Sequence, residues 1–360
     1  MPRRIELGRD SSDVYEGNGS RHRLLEPLAQ AGTRLVVISD RGVEAALRPT
    51  LHLEGDWLVV PAGEESKSLA TAGELWSQLC RLGVDRQTAI LSVGGGMVSD
   101  LAGYVASAYL RGLPFYSLPT SLLAMVDASV GGKVGIDLAE GKNLVGAFYP
   151  ARSVAIDPEL LDSLPDSEWA SGMAEVIKHG ILQGAPLWDS LLELRRSDMD
   201  DPARRERLLR EAVAVKLEVV EKDPYERSGL RATLNLGHTF GHALEWCSSY
   251  RLRHGEAVAL GMLAAVRLSR SLRILEEDFE APLTDMLRRW SLPVSLPEPD
   301  SAEWGWEGMA QAFGRDKKNS EGRWTFVLPR RVGQVELVQG PEVDLVRQAV
   351  ESLKKVPVAR

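Results

Sequence analysis

The sequence predicts an α/β protein in two parts, a parallel-sheet domain over residues 1–165 and a mainly helical domain over residues 166–360. Three observations predict it. Short apolar runs alternate with longer amphipathic ones through the first half. From Asp166 to about Arg289 nearly every segment has helical periodicity instead. The proline of "DSLPDSEW" separates the two regimes near residue 165. Strands alternating with helices imply βαβ units, because parallel neighbours need a crossover connection.

In chain order, "LVVIS" (35–39), "WLVVP" (57–61), "AILSV" (89–93), "FYSLP" (115–119) and "SVAID" (153–157) read as buried strands. Between them, "VEAALRPTL", "LATAGELWSQLCRLG" and "DLAGYVASAYLRG" repeat apolar residues at helical spacing. The stretch 125–150, "MVDASVGGKVGIDLAEGKNLVGAFYP", is glycine-rich and irregular, and is expected to be a long functional loop. The second half reads as the helices "SEWASGMAEVIKHGIL", "PARRERLLREAVAVKLEVVEKD", "LNLGHTFGHALEW", "GEAVALGMLAAVRLSRSL" and "APLTDMLRRW". "SLPVSLPEPDS" (291–301) is a proline-rich loop, and "WTFVLP" (324–329) is one more strand after the turn "KKNSEGR".

Composition narrows the class. The chain has 360 residues, 44% of them apolar and 26% charged, ordinary for a soluble globular protein. A net charge of −8 with both signs interspersed argues against general nucleic-acid binding, and leaves room for a local basic pocket. Cys80 and Cys247 are too few for a disulfide framework, and their apolar surroundings predict buried thiols. "MPRRIELGRD" lacks the apolar run of a signal peptide, and no stretch approaches the roughly 18 apolar residues of a membrane span. The expected compartment is the cytoplasm.

Several motifs carry chemistry. "LSVGGGMVSD" puts three glycines between a buried strand and a helix, where backbone can approach a ligand and the helix N-terminus favours a phosphate. The logic is that of a dinucleotide turn in a Rossmann-like domain, although the GxGxxG spacing is missing. Asp40, closing "VVISD", suits either a ribose hydroxyl or a helix cap. Lys133, Lys142 and Asn143 among glycines, with Arg111 of "YLRG", suit an anion and its hydroxyls. In "GMAEVIKHG", Glu175 and Lys178 are three apart amid apolar residues, so they face the same way and the carboxylate needs a cation or a metal. His238 and His242 are four apart on one helix face, readable as metal ligands or as hydrogen-bonded core histidines. His254 begins another helix in "LRHGEAVALGM". A carboxylate and two imidazoles from Glu175, His238 and His254 would make a three-ligand site with an open position.

Taken in order, "GEESK", "GGGMVSD", "YLRG", "LPTSLLAMVDASVGGKVGIDLAEGKNLVGAFYP", "GMAEVIKHG", "SGLRATLNLGHTFGHALE", "HGEAVALGM" and "DKKN" resemble the 3-dehydroquinate synthase family of sugar-phosphate cyclases, over about residues 35 to 330. The resemblance implies NAD and one divalent metal, usually zinc, with cobalt as an alternative. It implies metal ligation by Glu175, His238 and His254. It implies NAD contacts at Asp40, Glu64, Lys67, Gly95, Gly96, Met97, Asp100, Thr120, Ser121, Leu123, Asp127, Lys133, Lys142 and Ser163. Substrate groups would be Arg111, Lys133, Asn143, Lys178, Lys216, Arg231, Asn235, His242 and a lysine of "DKKN", Lys317 or Lys318. The chain departs from the family pattern at Gly42, where asparagine is common, and in "DPYERSGLR", which is one residue longer and shifts Glu226.

The implied activity converts 3-deoxy-D-arabino-heptulosonate 7-phosphate to 3-dehydroquinate and phosphate, a step of the shikimate pathway to aromatic amino acids. It proceeds by transient oxidation, phosphate elimination, re-reduction, ring opening and aldol closure. A homodimer is usual in the family. The rivals are a sister cyclase of secondary metabolism, a metal-dependent alcohol or glycerol dehydrogenase, and a non-catalytic NAD- or metal-binding regulator. The basic set speaks against a neutral polyol, and Arg231 and Asn235 favour a carboxylate-bearing substrate.

Overall fold

The computed structural model describes residues 1–314 and 323–355. The strands are β1 (Arg3–Leu7), β2 (Asp10–Glu16), β3 (Leu35–Asp40), β4 (Asp56–Val60), β5 (Ala89–Gly94), β6 (Phe115–Pro119), β7 (Lys133–Leu138), β8 (Gly141–Phe148), β9 (Ser153–Ile156), β10 (Thr325–Arg331) and β11 (Gln334–Gln339). The helices are α1 (Ser20–Gln30), α2 (Arg41–Leu51), α3 (Leu69–Arg81), α4 (Gly96–Ala108), α5 (Asp166–Gln183), α6 (Leu187–Leu191), α7 (Pro202–Lys222), α8 (His238–Cys247), α9 (His254–Ser271), α10 (Glu280–Arg289), α11 (Trp306–Gly314) and α12 (Val343–Ser352). Among the described residues no helix is long and apolar enough to cross a membrane.

The chain forms two compact units, Met1–Glu168 with Pro202–Tyr225, and Trp169–Asp201 with Glu226–Arg360. This differs from a single cut at residue 165, because α7 returns to the first unit. It is held there by Arg205, whose Nη1 donates to Asp162 at 2.6 Å, and by Lys216, whose Nζ donates to Asp127 at 2.5 Å. Beyond the helix, the Tyr225 hydroxyl donates to the Leu7 carbonyl at 3.2 Å.

The first unit is built on a seven-stranded sheet of order β1-β2-β9-β6-β5-β3-β4. All neighbours are parallel except β1 and β2. β3, β5 and β9 are buried along their whole length, as strands covered on both faces must be. The β1–β2 hairpin is absent from the sequence reading. Its signal is the alternation that buries Ile5 and Leu7 and turns Arg4 and Glu6 outward. β3 feeds β4 on one side, and the chain then crosses to β5 on the other. Asp40 and Gly94 therefore end adjacent strands where the winding reverses, the place where open α/β sheets bind ligands.

The expected loop over 125–150 is corrected to a π-helical turn at Ala124–Ala128 followed by the antiparallel hairpin β7–β8. Its glycines obscured a period-two pattern at Val134 and Ile136, both buried. They serve strand contact: a Cβ on Gly146 would overlap the Val134 carbonyl. The thiols are corrected too. Cys80 is exposed, because α3 buries Ala72, Leu75 and Leu79 on its other face, and Cys247 is half-buried.

The second unit is helical, with one hairpin, β10–β11, where a single strand was expected. Phe240 packs against Phe326 and Phe313 at ring-centroid separations of 4.8 and 5.7 Å. α8 and α9 approach so closely that a Cβ on Gly261 would overlap the Gly237 carbonyl oxygen. Gly237 itself has φ 78°, a left-handed conformation that caps α8. Gly261→Ala is expected to cost about 3 kcal/mol or more, the upper range for overpacking against fixed backbone. Chemical denaturation checks this, and an unchanged midpoint would show that the helices part freely.

Candidate metal and dinucleotide sites

In the second unit, α5 carries Glu175 and Lys178 on one face, both essentially inaccessible to solvent. The Lys178 ammonium forms an ion pair with Glu175 Oε2. The other oxygen, Oε1, meets His254 Nε2 at 3.2 Å and His238 Nε2 at 3.4 Å. The donor atoms of Glu175, His238 and His254 lie within 4.8 Å of one another. Tetrahedral ligands at roughly 2.0–2.2 Å from zinc are themselves separated by roughly 3.3–3.6 Å. The two measured separations are close to that edge length, so these residues fit a divalent cation.

Both imidazoles turn Nε2 toward Glu175. His238 is the first residue of α8, and its Nδ1 lies 3.2 Å from the Leu236 carbonyl. A carbonyl only accepts, so Nδ1 carries the proton and the Nε2 lone pair faces Glu175. Burial is the largest cause that holds His238 well below the ordinary imidazole range, aided by the Lys178 charge and opposed by Glu175. For His254 burial also works downward, but Glu175 and Glu245 outweigh it and push the group up to about 10. Burial would raise Glu175, yet Lys178, His238 and His254 hold it well below the usual carboxylate range. A cation entering this site competes with the His254 proton.

His242 lies one turn beyond His238 and is exposed, its ring centroid 5.5 Å from that of His238. Arg231 is buried and Asn235 half-buried, both on the 3₁₀ turn that precedes α8. Lys317 and Lys318 lie outside the described residues.

In the first unit, α4 starts at Gly96, with Gly95 as its cap, rather than after the glycines. Thr120 N donates to Gly94 O at 2.9 Å, and a Cβ on Gly95 would lie 3.4 Å from Ser121 Oγ, so the turn and the end of β6 run side by side. Leu123 and Met97 are half-buried beside them. Asp40 caps α2, its Oδ1 accepting from Gly42 N and Val43 N at 2.8 and 3.0 Å. Lys67 Nζ donates to Asp100 Oδ2 and Asn143 Oδ1, each at 2.5 Å, with Glu64 at 3.8 Å. Burial opposes the Lys67 charge, but Asp100 and Glu64 outweigh it and raise the group.

Asp137, which the sequence reading missed, accepts from Asn143 N at 2.7 Å and fixes the left-handed Asn143, φ 54°. Lys133 is exposed and borders a recess with Ser99, Asp100 and Ser129, while Lys142 on β8 is half-buried. Arg111 is exposed on a turn after α4 rather than at the end of the helix. Ser163 is exposed just beyond the 3₁₀ turn Pro158–Leu161.

Two family models match, 3-dehydroquinate synthase N-terminal over residues 57–171 and C-terminal over residues 172–319. A 3-dehydroquinate synthase of Symbiobacterium thermophilum is 41% identical, with 98% of this chain and 100% of that protein covered. One from Xanthomonas campestris pv. campestris is 44% identical, covering 84% of this chain and 82% of its own. Among solved structures, the 2-epi-5-epi-valiolone synthase of Streptomyces hygroscopicus subsp. jinggangensis, with NAD+ and Zn2+ bound, has a TM-score of 0.85 at 29% identity, covering 98% of this chain and 99% of its own. The chain belongs to the 3-dehydroquinate synthase family.

Proposed function

We propose that this chain is a 3-dehydroquinate synthase, converting 3-deoxy-D-arabino-heptulosonate 7-phosphate to 3-dehydroquinate and inorganic phosphate. The observation that carries it is the cluster of buried Glu175, buried His238 and half-buried His254, with two Nε2 atoms converging on one carboxylate oxygen. The relatives at 41% and 44% identity favour this substrate over that of the sister cyclase at 29%. NAD supplies a reversible hydride acceptor, and a divalent metal such as zinc polarises the substrate oxygen.

The chain's own residues do the rest. In the first unit, the NAD-binding part of this reading, Gly95 and Gly96 present backbone to the pyrophosphate. Asp40 keeps Oδ2 for a ribose hydroxyl while Oδ1 caps α2. Lys67 holds Asp100 and Asn143 in place. Lys133, Lys142, Lys216 and Arg111 supply positive charge for phosphate groups. In the second unit, the metal- and substrate-binding part, Lys178 neutralises the buried half of Glu175 and so keeps that carboxylate ionised. Arg231 and Asn235 suit the substrate carboxylate and hydroxyls, and His242 is exposed beside the trio to move a proton.

We place the enzyme in the cytoplasm as a homodimer, which sedimentation checks. The function itself is tested by supplying the carboxylate-bearing substrate and, separately, a seven-carbon sugar phosphate without the carboxylate. Phosphate and carbocycle are expected from the first only. Turnover of the second alone would assign the chain to the sister cyclases.

A further inference from the structure

One face of α8 carries three polar side chains, His238, His242 and Glu245, at spacings of four and three. Glu245 is only 2% exposed. A carboxylate that deep is costly unless a cation or donor answers it. Its Oε1 lies 3.7 Å from Nδ1 of His254, whose Nε2 is the atom 3.2 Å from Glu175. The His254 ring is thus flanked by two carboxylates, one at each nitrogen.

We propose that Glu245 is the positioning residue of His254: it holds the Nδ1–H so that the Nε2 lone pair points at the cation. The proposal rests on reading Glu175, His238 and His254 as the metal centre. The two imidazoles are then secured from behind by different means. His238 is tied to the Leu236 backbone carbonyl, which no substitution removes. His254 instead faces a side-chain carboxylate, 3.7 Å from its Nδ1, and a carboxylate behind an imidazole also makes it the stronger donor to metal. His242, Glu245 and His254 also offer donor atoms within 4.8 Å of one another, which makes a direct ligand role for Glu245 the alternative that a test must separate.

The test uses the full chain loaded with Co2+, with affinity read by chelator competition and geometry by the visible absorption of the ion. Glu245→Gln keeps the shape and loses the charge, and Glu245→Asp restores the charge. Glu245→Gln is expected to weaken Co2+ binding by about 10–100-fold, the usual cost of losing an outer partner of a ligating histidine, and to alter the spectrum. Glu245→Asp is expected to recover part of both. Wild-type affinity and spectrum in folded Glu245→Gln would overturn the proposal, as would a lower melting temperature with unchanged affinity. So would two equivalents of Co2+ in the wild type and one in Glu245→Gln, which would make Glu245 a ligand. His238→Ala is the control for the underlying reading: if it keeps tight Co2+, the trio is not the centre, and the proposal falls with it.

Discussion

His238→Ala is expected to abolish stoichiometric metal and to lower turnover about 10³-fold. The trio has one carboxylate and two imidazoles, so losing one leaves too few donors for a divalent ion. The loss of affinity should exceed the roughly 10–100-fold that removal of an outer partner costs. Metal activation contributes several kcal/mol to transition-state stabilisation, and each 1.4 kcal/mol or so is tenfold in rate. Metal analysis after dialysis and phosphate release measure the two effects, and a full equivalent of metal in folded His238→Ala would sink the assignment. Glu175 needs a gentler substitution. Glu175→Ala would leave the Lys178 ammonium buried without its carboxylate, at a cost of about 3–5 kcal/mol, and confuse metal loss with unfolding. Glu175→Gln keeps the volume and an amide oxygen that can accept from Lys178, and is expected to lose metal at a smaller cost in stability.

NAD+ at concentrations far below substrate is expected to sustain many turnovers, each releasing one phosphate, with no NADH accumulating at steady state. The net reaction eliminates phosphate and leaves the cofactor as it began. A dehydrogenase of similar fold would consume one NAD+ per product and release no phosphate. The basic residues motivate the difference, because a leaving phosphate must be held and a neutral polyol needs no such charge. Charge-assisted hydrogen bonds contribute roughly 1.5–3 kcal/mol each. Lys133→Ala is therefore expected to cut turnover at least about tenfold while sparing the cluster of Glu175, His238 and His254, which lies on other elements. Stoichiometric NADH from a simple polyol, with no phosphate from the seven-carbon substrate, would leave the fold intact and the function wrong.

The trio shows how residue chemistry and spacing differ from a site. Four-residue spacing put His238 and His242 on one face, and both are there. Spacing did not say that His238 Nε2 would reach Glu175 while His242 stayed exposed. That choice depends on where α8 starts, at a left-handed Gly237, and on how closely α9 packs against it. The same limit hid Glu245, seven residues past His238, whose partner His254 lies on the next helix. The family resemblance implied NAD contacts at Lys67 and Asp100 and a substrate contact at Asn143, but their meeting at one ammonium was not legible.

From the sequence alone came the α/β class, five of the seven strands of the main sheet, the helical second half and the residue types of the Glu175, His238 and His254 cluster. Each of these depends on short-range periodicity or on chemistry that a residue carries wherever it lies. The tertiary structure decided the return of α7 to the first unit, the hairpin within the glycine-rich stretch, and which oxygen of Glu175 faces the imidazoles rather than Lys178. Those outcomes depend on contacts between residues far apart in the chain. Apolar pattern specifies that a face is buried, and only the packed backbone determines what it is buried against.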